Sequence, residues 1–397
     1  MSTEFVFTSG SVTCGHPDKL CDRVSDAIVD RTLMQDPASR VEAECAVSGG
    51  VLFIASRSHT RASVDLADTA RQVVAECGYR SGAFNARDCS VMISQSDHHR
   101  AGAPRIDLAT LSESQAGEIP AGHQLTLFGY ACRQSANLMP LPVALAHAMS
   151  QTLDALIADN TLESLAPDAQ VQVGVIYRDR RPVGIHSITL LTSRRDADRP
   201  PAASLRDELV QRVIEPVLNE NDLTASSGMQ TIVNPEGLLV GGGPAMHSGL
   251  TGRKIGIDTY GEYSRQSGTA LSGKDPLRIE RIGTYAARHA AKQVVAARLA
   301  EECEIQLSYA IGRAVPVGLR VHTYGTGRMD DDALTRLVAE VFDFRPGVIC
   351  KRFRLQTLPQ ERGGFFKGLA VYGHLGRTDM DLPWERLDQL DALQQSG

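Results

Sequence analysis

One pattern occurs three times along this chain, and that repetition constrains the fold more than any other feature. Each copy reads strand, short turn, strand, then amphipathic helix. The first copy has Glu42 to Val47 and Val51 to Ser56 around Gly49-Gly50, then a helical pattern from Ser63 to Cys77. The second has Val171 to Tyr177 and Val183 to Leu191 around Asp179-Arg180-Arg181, then Ser204 to Leu218. In that helix Leu205, Leu209, Val213 and Val217 recur at helical spacing. The third has Glu304 to Ile311 and Val317 to Tyr324, then Asp331 to Phe342. Apolar residues alternate along the strands, as at Val171, Val173 and Val175, so each sheet has two unlike faces. One helical stripe per copy covers one face. The expectation is an α+β fold of three similar strand-turn-strand-helix domains about a pseudo-threefold axis.

Three further helices are expected between the copies, over Leu20 to Met34, Pro142 to Leu156 and Thr284 to Leu299. The segment 99–122 has little periodicity and reads as a mobile, lid-like loop, with plain disorder as the alternative. At 397 residues, with 42% hydrophobic residues, the chain has room for two or three domains and a large core. A net charge of −6 gives no basic field for nucleic acid. No apolar run approaches a membrane span, and no basic region precedes an apolar one at the N-terminus. The expected setting is cytoplasmic. The eight cysteines are scattered, with no Cys-x-x-Cys pair, and read as reduced core thiols.

The chemistry is concentrated in two places. Gly15-His16-Pro17-Asp18-Lys19 puts an imidazole, a carboxylate and an ammonium just before a helix. Those groups suit proton donation, Mg²⁺ and phosphate respectively, although a polar loop capping a helix has the same composition. Downstream come Gly241-Gly242-Gly243-Pro244, Gly249-Leu250-Thr251-Gly252-Arg253-Lys254 and Ser272-Gly273-Lys274-Asp275-Pro276. Glycines let backbone N–H groups approach an anion, and the cations complete the charge match. None of these is a Walker A loop, and simple turns are the other reading.

Together these motifs resemble the S-adenosylmethionine synthetases (methionine adenosyltransferases). The resemblance runs from Phe7-Thr8-Ser9 to the Pro383-Trp384-Glu385 region, with Tyr285 to Arg288 and Ser308 to Gly312 in support. It implies three interleaved domains: 1–13 with 132–235, 14–110 with 236–283, and 111–131 with 284–397. It also implies a homodimer or tetramer with active sites at the subunit interface. In the implied reaction, methionine sulfur attacks C5′ of ATP and displaces tripolyphosphate, which is then hydrolysed to pyrophosphate and phosphate. His16 is implied at the leaving oxygen. Lys19, Arg253, Lys254, Ser272 and Lys274 are implied at the phosphates, and Asp168 at the ribose. Asp18 and Glu280 are implied to bind two Mg²⁺ ions, Glu44 a K⁺ ion, and Gln95 to contact methionine.

The chain departs from the family pattern within the site. His123 and His247 stand where the family has Asp, Arg57 where it has Glu, and Gln170 where it has Lys. Leu238, Leu239 and Gly10 replace Arg, Phe and Glu; Arg278 and Glu280 replace Lys and Asp. Arg57 and His247 should repel an α-ammonium group. Arg57, Gln95, His123, His247 and Arg278 are therefore the acceptor-pocket candidates. Three functions follow as expectations. One is S-adenosylmethionine synthesis through a rearranged pocket. Another is transfer to a different, anionic acceptor or from a different nucleoside triphosphate. The third is an inactive nucleotide-binding homologue.

Overall fold

A computed structural model describes residues 4–97, 104–195, 205–221, 228–237 and 239–396. It contains twelve strands in three sheets, and each sheet is built around one of the expected hairpins. In the first sheet, β6 (Leu165–Arg178) and β7 (Arg181–Arg194) form the hairpin. β1 (Glu4–Val12) lies antiparallel to β6 along its whole length. β8 (Gln230–Val233) and β9 (Leu239–Val240) run parallel to β7. The second sheet has the order β10-β2-β3-β4. Its hairpin is β2 (Arg40–Ser48) with β3 (Val51–His59). β10 (Gly249–Leu250) is antiparallel to β2, and β4 (Ser90–Asp97) is parallel to β3. The third sheet pairs β11 (Glu302–Tyr309) with β12 (Gly318–His322) and with β5 (Leu125–Cys132), both antiparallel.

The first two sheets share one arrangement: an antiparallel outer strand, the hairpin, then a parallel strand after a helix. Among the described residues the third sheet lacks that last strand. A helix precedes every hairpin and packs on its sheet: α1 (Pro17–Gln35), α3 (Leu141–Ala158) and α4 (Ile279–Ala296). The repeating unit is therefore longer than the expected strand-turn-strand-helix. The "further" helices are the main covers. The helices after the hairpins, α2 (Leu66–Glu76), the stretch 205–220 and α5 (Asp331–Val341), complete the layer.

Turn chemistry differs between hairpins. Gly49 supplies the left-handed φ of 56° at the β2–β3 turn. At β6–β7 it is Asp179 and Arg180 that adopt φ 49° and 65°, the double left-handed geometry of a two-residue hairpin without glycine. A large core cluster joins the second and third sheets, and a separate one fills the space between β6, β7, α3 and 205–220.

The lid-like loop expected over 99–122 is corrected in its later part. Residues 98–103 lie outside the described residues. Beyond them come a short 3₁₀ turn at Leu108–Thr110 and a helical turn at Glu113–Gly117. Leu108 and Ala116 are buried in the main core, so this part is pinned. Its sequence signal is Ser112 with Gln115, which form a reciprocal capping box. All eight cysteines are free, as expected, and only Cys14 is not fully buried. Among the described residues, no helix is long and apolar enough to cross a membrane.

Candidate functional site

The site begins at the N-terminus of α1. Pro17 occupies the first turn, where its missing N–H costs nothing, and the His16 ring accepts the Asp18 N–H at 3.2 Å. His16 is buried, and burial lowers its imidazole pKa to about 4, so the ring is neutral at physiological pH. The Asp18 carboxylate accepts from the Leu250 amide at 3.0 Å and from Arg253 Nε at 2.8 Å. The glycine loop 249–254 is thereby fastened to the helix end. Gly249 cannot carry a side chain, because a Cβ there would lie 2.2 Å from the Pro17 carbonyl.

Asp168, at the start of β6, is the second anchor. Its Oδ2 accepts from the Gly243 amide at 2.7 Å and contacts His247 Nε2 at 2.8 Å. Its Oδ1 is buried without a hydrogen-bond partner. The hydrogen bond to Asp168 raises the His247 pKa. The His16 and His247 rings sit 5.2 Å apart, edge to face. A cavity of about 450 Å³ opens beside them, lined by Asp168, Gln170, Leu191, Asn234, Glu236 and His247. A second, of about 540 Å³, is lined by Gly10, Gln170, Arg253 and Lys254. Lys254 makes no ion pair among the described residues, so its ammonium remains available to an anion.

A second group lies elsewhere in the chain. Glu280 Oε1 meets Arg278 at 3.0 Å and His123 Nδ1 at 3.2 Å; its Oε2 is buried and unpartnered. Arg278 also reaches Glu42 at 3.4 Å, and Glu42 holds Arg57 at 2.8 Å. The charges therefore run as a relay, His123–Glu280–Arg278–Glu42–Arg57. Glu44 and Arg57 line a third hollow with Ser94 and Ser96. Lys274, 5% exposed, bridges to Glu42 through its backbone. No hydrogen bond, ion pair or shared cavity joins this group to the His16 group among the described residues. The acceptor-pocket candidates thus fall into two clusters in one chain, not the one pocket expected from sequence.

Several expectations change. Lys19 lines none of these cavities. It is 0% exposed and paired with Asp22 at 2.9 Å and with Asp258. Burial pulls its pKa down, but the two carboxylates outweigh that and raise it. Ser272 is likewise buried, its hydroxyl 3.4 Å from His374. Gln95 pairs with Ser56 in the β3–β4 register and so points away from the Arg57 face. Leu238 lies outside the described residues, as does the Leu239 side chain.

Sequence reasoning singled out Asp18 but missed the three aspartates that continue its row. Asp18, Asp22, Asp26 and Asp30 recur every fourth residue along α1 and are all buried. Each grips distant backbone: Asp22 the Gly252 amide at 2.7 Å, Asp26 the Gly273 amide at 2.8 Å, Asp30 the Phe366 and Lys367 amides at 2.9 Å. One helix face thus fixes the loops that carry Arg253 and Lys274. The four-residue spacing was visible, but it also describes an ordinary solvated face.

The family's sequence profiles match almost the whole chain. The S-adenosylmethionine synthetase N-terminal domain matches residues 4–98, the central domain 118–239 and the C-terminal domain 241–386. The S-adenosylmethionine synthase of Trichormus variabilis is 45% identical over 410 residues, covering 100% of this chain and 98% of the relative. That of Trichodesmium erythraeum is 44% identical over 411 residues, with 100% and 98% covered. That of Synechococcus elongatus is 43% identical over 411 residues, with 100% and 99% covered. With three matching domains in order and this likeness over its full length, the chain belongs to the S-adenosylmethionine synthetase family.

Proposed function

We propose that this protein is a methionine adenosyltransferase, joining methionine sulfur to C5′ of ATP and releasing tripolyphosphate for hydrolysis. The observation that carries it is the assembly at the α1 N-terminus: a buried neutral His16, with Asp18 and Arg253 locked together at 2.8 Å and Lys254 beside them. Negative charge grows on the leaving phosphate oxygen as the C–O bond breaks. Cations, a helix N-terminus and an imidazole fixed in advance lower that barrier without reorganising. His16 donates a hydrogen bond to the leaving oxygen, and Arg253 and Lys254 hold the chain of phosphates.

The donor set fits Mg²⁺ and K⁺. Glu280 Oε2 is a buried oxygen with no partner, which a cation would satisfy. Asp18 Oδ1 is already shared by an amide and Arg253, leaving Oδ2 for a metal. Glu44 projects from the open face of β2, where it would hold K⁺. Bound Mg²⁺ supplies charge neutralisation on the phosphates.

A second copy of the chain would unite the two clusters. Val51, Phe53, Met92 and Leu250 are 40–57% exposed and share one face of the second sheet by register. The same face carries Glu44 and Arg57 at its polar end, and β10 leads directly to Arg253. A dimer closed over it sets the Arg57 cluster of one subunit against the His16 cluster of the other. Phe53→Glu with Met92→Lys should produce monomers in sedimentation velocity and abolish turnover; an unchanged dimer would place the interface elsewhere.

The main test is incubation with ATP, Mg²⁺, K⁺ and methionine, reading S-adenosylmethionine and phosphate separately. Turnover of roughly 1–10³ s⁻¹ is expected. Phosphate release that needs a different acceptor supports the second reading, for which the observation is that Arg57 and His247 bring basic side chains to the clusters, both held by carboxylates. ATP binding with no release across acceptors supports an inactive homologue.

A further inference from the structure

We propose that His16, Asp168 and His247 form a binding site for one Zn²⁺-class transition metal per chain, separate from the Mg²⁺ and K⁺ sites. One donor atom from each of the three lies within 4.8 Å of the others. Two imidazoles and a carboxylate are the donor set that borderline divalent metals prefer, whereas Mg²⁺ takes oxygen. Tetrahedral bonds of about 2.0–2.2 Å put donors about 3.4 Å apart, so closure needs only small side-chain rotations.

Independent features favour a ligand here. Asp168 is 7% exposed, and its Oδ1 has no hydrogen-bond partner, so a metal would satisfy a buried orphan. The Gly243 amide at 2.7 Å and the Ser193 hydroxyl, which donates to the Asp168 carbonyl at 2.8 Å, fix this residue in place. Such support around a ligand is what metal sites require. The fourth position opens on the cavity of about 450 Å³, where water or substrate completes the tetrahedron. His247 is the residue that creates the site: an acid there leaves one imidazole and two carboxylates, a set for harder ions. Because His16 is a ligand, the bound metal removes it from the leaving oxygen, and Zn²⁺ inhibits the transfer.

The test is calorimetric titration of the full-length, metal-stripped protein with ZnCl₂ in millimolar Mg²⁺. One equivalent should bind per chain. His247→Ala and Asp168→Asn should each weaken binding at least about tenfold, since even outer-shell changes cost about 10–100-fold. Circular dichroism melts check that both variants fold; His247 is partly exposed, so its truncation leaves the core intact. A Co²⁺-loaded sample separates this site from the eight thiols. Tetrahedral ligand-field bands without thiolate charge transfer are expected. Zn²⁺ affinity unchanged in folded His247→Ala, or a thiolate band that persists in it, overturns the proposal. Neither readout depends on which acceptor the enzyme uses.

Discussion

Lys19 gives the sharpest test of the site as described. Its ammonium is the one cation bonded to both Asp22 and Asp258, and all three side chains are 0% exposed. Burial raises the Asp258 pKa to about 7, and Lys19 works against that. Lys19→Met keeps the length of the side chain and removes the charge. Two carboxylates then face each other in the core, and Asp258 Oδ2 already lacks a partner. Breaking a buried pair from one side costs about 3–5 kcal/mol. With about 2.1 cal/mol/K per residue over 397 residues, the unfolding entropy is about 0.8 kcal/mol/K, so Tm falls about 4–6 °C. Adding Asp22→Asn removes one of the stranded charges while its remaining oxygen still accepts the Gly252 amide. That double variant should recover about 1–2 kcal/mol, within the coupling normal for residues in contact. Differential scanning calorimetry reads both. Kinetics well below the melting range read the other half: kcat/KM for ATP should stay within about threefold of wild type. A lost phosphate contact would instead cost about 2–4 kcal/mol of barrier. A Lys19→Met protein that melts like wild type but loses roughly a hundredfold in kcat/KM would refute the buried-triad reasoning and return Lys19 to the phosphates.

Three more expectations follow from the packing. Asp26→Ala strands the fully buried Arg281 and frees the Gly273 amide, so stability drops about 3–5 kcal/mol and the ATP KM rises as the Lys274 loop loosens; urea titration and initial rates check both. Gly129→Ala drives a Cβ to 2.1 Å from the Ala287 backbone, wedging β5 off α4 at a cost of about 1–3 kcal/mol, whereas Gly122→Ala meets nothing within 4 Å and should melt like wild type. Burial lowers the His147 pKa to about 3, below its unfolded value, so its contribution is complete above pH 6.5 and is lost as pH falls. It should cost about 2 kcal/mol between pH 7 and 5, a slope that urea midpoints of His147→Gln should lack.

The hairpins were legible in sequence because their information is local. Val171, Val173 and Val175 alternate within a few residues of their turn, and the strands formed where that alternation lies. The later part of 99–122 was misread for an equally local reason. Low periodicity masked two short elements, although Ser112 and Gln115 already spelled a cap. The site was harder because its partners are remote. Nothing near Lys19 marks Asp258, 239 positions away, as its counter-ion, so a Gly-His-Pro-Asp-Lys string reads as a phosphate grip.

The same blindness hid the aspartate stripe of α1, and that error bears on mechanism. An apolar row at Leu20, Val24, Ile28 and Leu33 suggested one buried side, yet 15 of the 19 residues are buried. The opposite row is acidic because loops, not solvent, cover it. Each loop arrives with unpaired amides, and a buried amide without a partner costs about 1–3 kcal/mol. Carboxylates at every fourth position satisfy them one by one. The stripe separates the anchored loops from the exposed positions. Asp18, Asp22 and Asp26 anchor loops 249–254 and 272–276 by their backbones, so Arg253, Lys254 and Lys274 stay in place whatever surrounds them. Arg57, His123 and His247 are 39–60% exposed, and none of them holds a loop amide in that way. They can change without unfastening the loops that carry Arg253, Lys254 and Lys274. A chain built like this can change its exposed positions while the side proposed to hold the leaving group stays fixed.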